Sequence, residues 1–142
     1  MFEDCTSLTI APELPATVLA TQCYDSMFEG CTSLITVPEL PATILEKKCY
    51  YNMFYKCSSI KLSTIPTGEY QIPYRIPLNN TGTVGTNSLE YMFYDTGGTF
   101  KGTPSINTTY YLSTSNLIVY PDTYIEYTPN KVTTINSNST DT

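Results

Sequence analysis

One phrase of 26 residues is written twice in succession at the start of this chain of 142 residues. Residues 1–26 (MFEDCTSLTIAPELPATVLATQCYDS) and 27–52 (MFEGCTSLITVPELPATILEKKCYYN) are identical at 16 of 26 positions, with their cysteines in register. A third copy begins at Met53, and the phrase restarts at Met92, 39 residues later. Such a fixed period is typical of repeat architectures, in which each copy buries its apolar face against its neighbours.

Each copy is predicted to contain one helix and one short strand. Apolar residues recur every four positions, as on one face of a helix, at Leu45, Cys49, Met53 and Cys57. Thr43 followed by Glu46 has the form of a capping box, so the helix is expected to begin near residue 43. The β-branched stretches 7–11 and 33–37 are each stopped by proline and predict strands. Stacked copies predict an α/β repeat fold, a short right-handed solenoid with a β-rich C-terminal cap.

The recurring elements MFxxCTSL, PELPAT and CY resemble the BspA-like leucine-rich repeats found in surface proteins of host-associated microbes and in proteins of gut bacteriophages. The resemblance covers residues 1–66 strongly, and residues 74–111 resemble the divergent closing segment of such arrays. It implies a leucine-rich-repeat solenoid, adhesion and protein recognition. It transfers no catalytic residue to this chain.

The chain is predicted to divide into BspA-like repeats at 1–66, a divergent closing repeat at 67–111, a β-rich cap or junction at 112–135 and a disordered tail at 136–142. The cap is inferred from strand-like runs at 117–120, 124–127 and 131–135, which are separated by proline-containing turns.

The composition argues against several classes of function. The net charge is -6 and the seven basic residues form no run longer than two, so nucleic acid is not an expected partner. No stretch approaches the roughly 18 to 20 apolar residues that cross a bilayer, and Met1 is not followed by a secretory signal. The chain has no histidine and no nucleophile elbow, so we expect neither an enzyme nor a cofactor.

The cysteines form two columns in the aligned copies, and disulfides or a thiolate metal site are the functional alternatives. Their count of five is odd, and no pair has the spacing of structural zinc sites. We therefore expect free, buried thiols and no bound metal. Two carboxylate columns, Glu3 with Glu29 and Glu13 with Glu39, are interpreted as solvated surface charge, and the glycine-containing stretches 82–85 and 96–99 as turns rather than phosphate loops.

The leading functional hypothesis is a non-enzymatic recognition or adhesion module that binds a protein or glycan at a cell or virion surface. The alternative is a structural component of a phage particle or surface assembly. Thirteen tyrosines suit an exposed binding surface. The first copy lacks a predecessor, so the N-terminal end is expected to self-associate or to continue into further repeats. The candidate interface comprises Met1, Phe2, Leu8, Tyr110, Tyr111, Tyr124 and Tyr127.

Overall fold

The computed structural model describes residues 2–121, and all regular structure in this range is β. The strands, in chain order, are β1 (Thr36–Pro38), β2 (Ile44–Leu45), β3 (Leu62–Ser63), β4 (Tyr70–Arg75), β5 (Thr83–Val84), β6 (Thr109–Ser113) and β7 (Leu117–Val119). No helix occurs in the described range. The expected α/β class and the right-handed leucine-rich-repeat solenoid are therefore wrong, and the chain has a helix-free, β-rich fold.

The strands form three small, separate sheets. β1 pairs in parallel with β7, which places Val37 beside Ile118. β2 pairs in parallel with β5, so that Ile44 lies beside Thr83. β6 lies between β3 and β4 and is antiparallel to both. β2 and β5 occupy equivalent positions in two copies, and so do β1 and β3. However, β1 pairs with β7 and β3 pairs with β6, so the expected sheet of stacked, equivalent strands does not form.

The segments expected to be helical are chains of tight turns. Residues 21–30, 47–56 and 86–95 are called here the first, second and third turn segments. Every fourth residue has a positive φ, as in the second segment with 52° at Lys48, 54° at Asn52 and 65° at Lys56. A right-handed helix has negative φ throughout. The helix predicted from residue 43 is therefore wrong.

A period of four explains why the same side chains are nevertheless buried. An α-helix turns once in 3.6 residues, so positions four apart drift around its axis. A succession of four-residue turns keeps every fourth side chain on the same side. Leu45, Cys49, Met53 and Cys57 accordingly share the core, with exposed fractions of 0–2%.

Two sets of backbone hydrogen bonds hold the first and second turn segments. Alternate N–H groups donate three residues back, as from Met53 to the Tyr50 carbonyl at 3.1 Å. The N–H groups between them donate to the next copy, as from Asn52 to the Glu90 carbonyl at 3.0 Å. The first segment donates to the second in the same way, from Gln22, Tyr24, Ser26, Phe28 and Gly30. The copies therefore lie edge to edge, joined by their main chains.

A column of phenylalanines runs through the core where the copies meet. Phe2, Phe28, Phe54 and Phe93 stack in sequence with ring centroids 5.6, 5.5 and 5.3 Å apart. The last three are fully buried. These distances suit offset aromatic stacking. Phe28 and Phe54 therefore form core layers between successive copies.

Asn116, the residue before β7, hydrogen-bonds through its side chain to two earlier copies of the repeat. Its side chain is fully buried, and its Oδ1 accepts a hydrogen bond from the Lys61 N–H at 2.9 Å. Its Nδ2 donates to the carbonyls of Ile35 at 3.0 Å and Ser59 at 2.9 Å. One amide thus bonds to three backbone groups in two copies of the repeat.

The expected strands have mixed outcomes. β1 overlaps the predicted strand at 33–37, and β7 falls within the predicted run at 117–120. Residues 7–11 form no strand, although the Thr9 carbonyl accepts a hydrogen bond from the Ile35 N–H at 3.0 Å. The predicted runs at 124–127 and 131–135 and the predicted tail lie outside the described residues. The domain boundaries stay a prediction.

Candidate functional site: a tyrosine cleft

The second and third turn segments carry tyrosines on the side that faces away from the core. Within each segment the buried Met-Phe pair, Met53-Phe54 or Met92-Phe93, points inward. The tyrosines that follow these pairs are Tyr55 and Tyr94, and the main-chain bond from Lys56 N–H to the Tyr94 carbonyl at 2.9 Å fixes their register. Their rings consequently stack with centroids 5.6 Å apart.

Four such rings surround a surface cleft of about 340 Å³. Its lining consists of Tyr51, Asn52, Tyr55, Tyr91 and Tyr94. Tyr91 meets Tyr51 at 67° and Tyr94 at 68°, with centroids 5.9 and 5.8 Å apart. Tyr91 and Tyr94 remain 43% and 45% exposed, and the other two tyrosines are half-buried. The cleft therefore presents apolar rings and polar hydroxyl tips to solvent.

Two lysines stand at the rim of the tyrosine cleft. The Lys48 Nζ lies 4.9 Å from the centroid of the Tyr51 ring, and the Lys56 Nζ lies 5.2 Å from that of Tyr55. Both distances are within the range of cation–π attraction. The two ammonium groups therefore pack on the rings of Tyr51 and Tyr55. The lining of the cleft itself consists of four phenols and the Asn52 amide.

The repeat alone does not produce this cleft. The preceding copy carries Asp25 and Glu29 at the positions of Tyr51 and Tyr55, so the aromatic surface begins only at the second turn segment. The sequence did contain a signal, because the phrase Met-Phe-Tyr occurs at both 53–55 and 92–94. This signal was missed because the sequence was interpreted as a helix and only the apolar face of that helix was considered.

The residues predicted as an interface lie elsewhere. Phe2 is half-buried against Phe28, and Leu8 is half-buried against the same core. Tyr110 is buried in β6, where its hydroxyl accepts a hydrogen bond from the Ser105 N–H at 2.8 Å. Its neighbour in β6, Tyr111, is half-buried. Met1, Tyr124 and Tyr127 lie outside the described residues.

The cysteines are free, and only three of them are buried. Cys5 and Cys23 are exposed, because they belong to the first copy, which has a neighbour on one side only in the described range. The expectation that all five are buried is therefore wrong. Burial raises the pKa of Cys49 and of Cys57 to about 12. The Cys57 thiol also donates a hydrogen bond to the Phe28 carbonyl at 3.0 Å.

Glu39 contradicts the interpretation of its column as surface charge. Its side chain is 4% exposed, and its Oε1 has no hydrogen-bond partner among residues 2–121. It lines a second pocket of about 230 Å³ together with Tyr74 and Arg75 of β4, which covers it. Burial disfavours the carboxylate and raises the pKa of Glu39 to about 7. Glu13, at the same repeat position, is half-buried.

The glycine-containing stretch at 96–99 serves packing. The Gly97 N–H donates to the Ile60 carbonyl at 2.8 Å, and a Cβ on Gly98 would collide with the backbone of Leu62. Glycine is therefore required for close approach of two chain segments. The interpretation of this stretch as a structural turn rather than a phosphate loop agrees with these contacts.

Within residues 2–121, no group of three or more cysteine or carboxylate side chains is arranged to hold a metal ion. No helix in the same range has the length and apolar character needed to cross a membrane. Searches with this chain against protein-family models, curated protein sequences and solved structures found no match. The resemblance to BspA-like repeats stays a prediction from sequence.

Proposed function

We propose that this chain is a non-enzymatic recognition module that binds its ligand in the tyrosine cleft, at a cell or virion surface. The observation that carries the proposal is the concentration of Tyr51, Tyr55, Tyr91 and Tyr94 around one concavity outside the core. Tyrosine combines a large apolar contact area with a polar tip and is enriched in the centres of binding surfaces.

The chemistry of the lining supports binding rather than catalysis. Four phenols and the Asn52 amide offer contact area and hydrogen-bond donors and acceptors. The volume of about 340 Å³ is at the lower end of the range of about 300–1,000 Å³ typical of ligand pockets. A small portion of a larger ligand, such as one end of a glycan or a few residues of a peptide, fits this size.

The rigidity of the site also favours recognition. The backbone of each tyrosine belongs to a turn segment that is hydrogen-bonded to its neighbouring copy, as from Phe54 N–H to the Met92 carbonyl at 2.9 Å. The backbone positions from which the rings project are therefore fixed before a ligand arrives. Preorganised groups bind more tightly because less conformational entropy is lost.

The test compares binding of the labelled chain to intact bacterial and animal cells with that of the Tyr55→Ala/Tyr94→Ala double variant. We expect saturable binding that the double variant loses, while Tyr70→Ala, outside the cleft, retains it. Equal binding by all three proteins would refute a role for the cleft. A chain that is found only in large assemblies, with the cleft tyrosines protected, would support the alternative of a structural component.

A further inference from the structure

Tyr91 occupies a backbone conformation that does not suit it. Its φ is 57°, in the left-handed region, where glycine, asparagine and aspartate are better tolerated than a bulky side chain. The equivalent positions in the two preceding turn segments hold Ser26 and Asn52, with φ of 57° and 54°. Folding alone would therefore favour asparagine at position 91.

Core packing does not offset this strain. The Tyr91 side chain is 43% exposed and does not belong to the buried core, and its ring meets two other cleft rings, at 5.9 Å from Tyr51 and 5.8 Å from Tyr94. Its backbone N–H donates to the Thr103 hydroxyl at 2.9 Å, a bond that any residue except proline could make. The positive φ belongs to every fourth residue of the turn segments, so what distinguishes Tyr91 is an aromatic ring where the equivalent positions hold serine and asparagine. Tyr91 is thus placed where its ring completes the cleft rather than the fold.

The hydrogen-bonding capacity of the tyrosine cleft points to a class of ligand. The hydroxyls of Tyr51, Tyr55, Tyr91 and Tyr94 have no hydrogen-bond partner among the described residues, so each is available to donate and to accept. A saccharide presents hydroxyls that also donate and accept, beside C–H faces that pack on aromatic rings. A polyproline peptide offers the rings apolar contact, but its prolines supply carbonyl acceptors and no N–H donors.

The charges around the cleft favour an uncharged ligand. The five lining residues are neutral, and the ammonium groups of Lys48 and Lys56 already pack against the outer rings. The chain as a whole has a net charge of -6, which repels polyanions at long range. A neutral saccharide would avoid the desolvation that a charged group suffers between phenol rings.

We infer that the tyrosine cleft binds a neutral saccharide and that Tyr91 sets its affinity. The inference rests on the proposed recognition function and names its ligand class. Tyr91 contributes a ring wall and a hydroxyl to the bound sugar, and the fold tolerates the strained backbone because neighbouring hydrogen bonds hold the third turn segment in place.

The experiment measures binding of the whole chain to neutral oligosaccharides of glucose, mannose, galactose and N-acetylglucosamine, and to a decaproline peptide. Titrations follow tyrosine fluorescence, since the chain has no tryptophan. The variant is Tyr91→Asn, with Tyr70→Ala as the control outside the cleft. We expect at least one saccharide to bind, with affinity reduced about tenfold or more in Tyr91→Asn and an unfolding temperature equal to or above that of the wild type.

Three outcomes would overturn the inference. Binding of none of the saccharides is the first. Tyr91-dependent binding of decaproline in their place is the second, and it would leave the proposed recognition function standing. The third is a Tyr91→Asn variant that unfolds at lower temperature and binds saccharide normally, because the ring would then serve the fold. Loss of cell binding in the Tyr55→Ala/Tyr94→Ala variant tests the recognition function separately.

Discussion

Replacing the buried carboxyl of Glu39 by an amide should change how stability depends on pH. In the folded chain the pKa of Glu39 is raised from 4.5 to about 7, because burial disfavours the carboxylate. The folded chain therefore keeps a proton that the unfolded chain releases between these two pH values. The stability linked to this proton is fully present below pH 4.5 and is lost as the pH rises to about 7.

The magnitude follows from the two pKa values. Each pH unit between them corresponds to about 1.4 kcal/mol, so the interval from 4.5 to about 7 amounts to about 3 kcal/mol. Glu39→Gln has a similar shape and no proton to lose. Relative to the wild type, its free energy of unfolding should rise by about 3 kcal/mol between pH 4.5 and pH 8. If Glu39 were solvated surface charge, as interpreted from the sequence, the change would stay within about 0.5 kcal/mol.

The assay is urea denaturation of the wild type, Glu39→Gln and Glu3→Gln at several values from pH 4.5 to pH 8. Glu3 is the matched control because its side chain is exposed. The difference between Glu3→Gln and the wild type should stay within about 0.5 kcal/mol throughout. If the curve of Glu39→Gln runs parallel to that of the wild type, the carboxyl is not held in its neutral form by burial and the reasoning fails.

Three further predictions concern the core. Phe54→Ala should lower the free energy of unfolding by about 3–5 kcal/mol, because it removes the ring between Phe28 and Phe93. The control is Ile44→Ala, a change at an exposed side chain. Equal losses of stability for the two variants in urea titrations would contradict the fold. Thiol titration of the folded chain should detect two reactive groups, Cys5 and Cys23, and denaturation should expose the other three cysteines. If all five thiols react in the folded chain, the copies do not pack as described. Asn116→Ala should lower the unfolding free energy by about 3 kcal/mol, because the Lys61 N–H and the Ser59 carbonyl lose their partner while the Ile35 carbonyl keeps the Leu117 N–H. A loss as small as that of the exposed Asn79→Ala would show that water replaces the amide.

The sequence predicted which side chains form the interior columns. Identical spacing in successive copies places Phe28 beside Phe54, and both are fully buried whatever backbone carries them. A side chain is buried when it points to the side of the chain that faces the core. Residues spaced four apart point to one side in a turn segment, and they do so approximately in a helix. The core was therefore predictable, although the secondary structure derived from the same pattern was wrong.

The amino-acid composition predicted that the chain has a tyrosine-rich binding surface, but the sequence did not predict which tyrosines form it. The abundance of tyrosine indicated an exposed aromatic surface. The residues chosen for it, such as Tyr110, lie in part within the sheet core, because β6 is flanked by strands on both sides. Tyr55 and Tyr94 come together only because a main-chain ladder joins segments 39 residues apart in the sequence.

The repeat period, the interior columns and the edge-to-edge contact of the copies were determined by the sequence alone, since identical copies offer identical apolar faces to one another. The tertiary structure decided between helix and turn. An N–H such as that of Asn52 finds its acceptor in the next copy at Glu90, and a local pattern cannot show where a backbone hydrogen bond goes. The tertiary structure also separated Glu39 from Glu13, because β4 covers only the former in the described chain and removes its carboxyl from water.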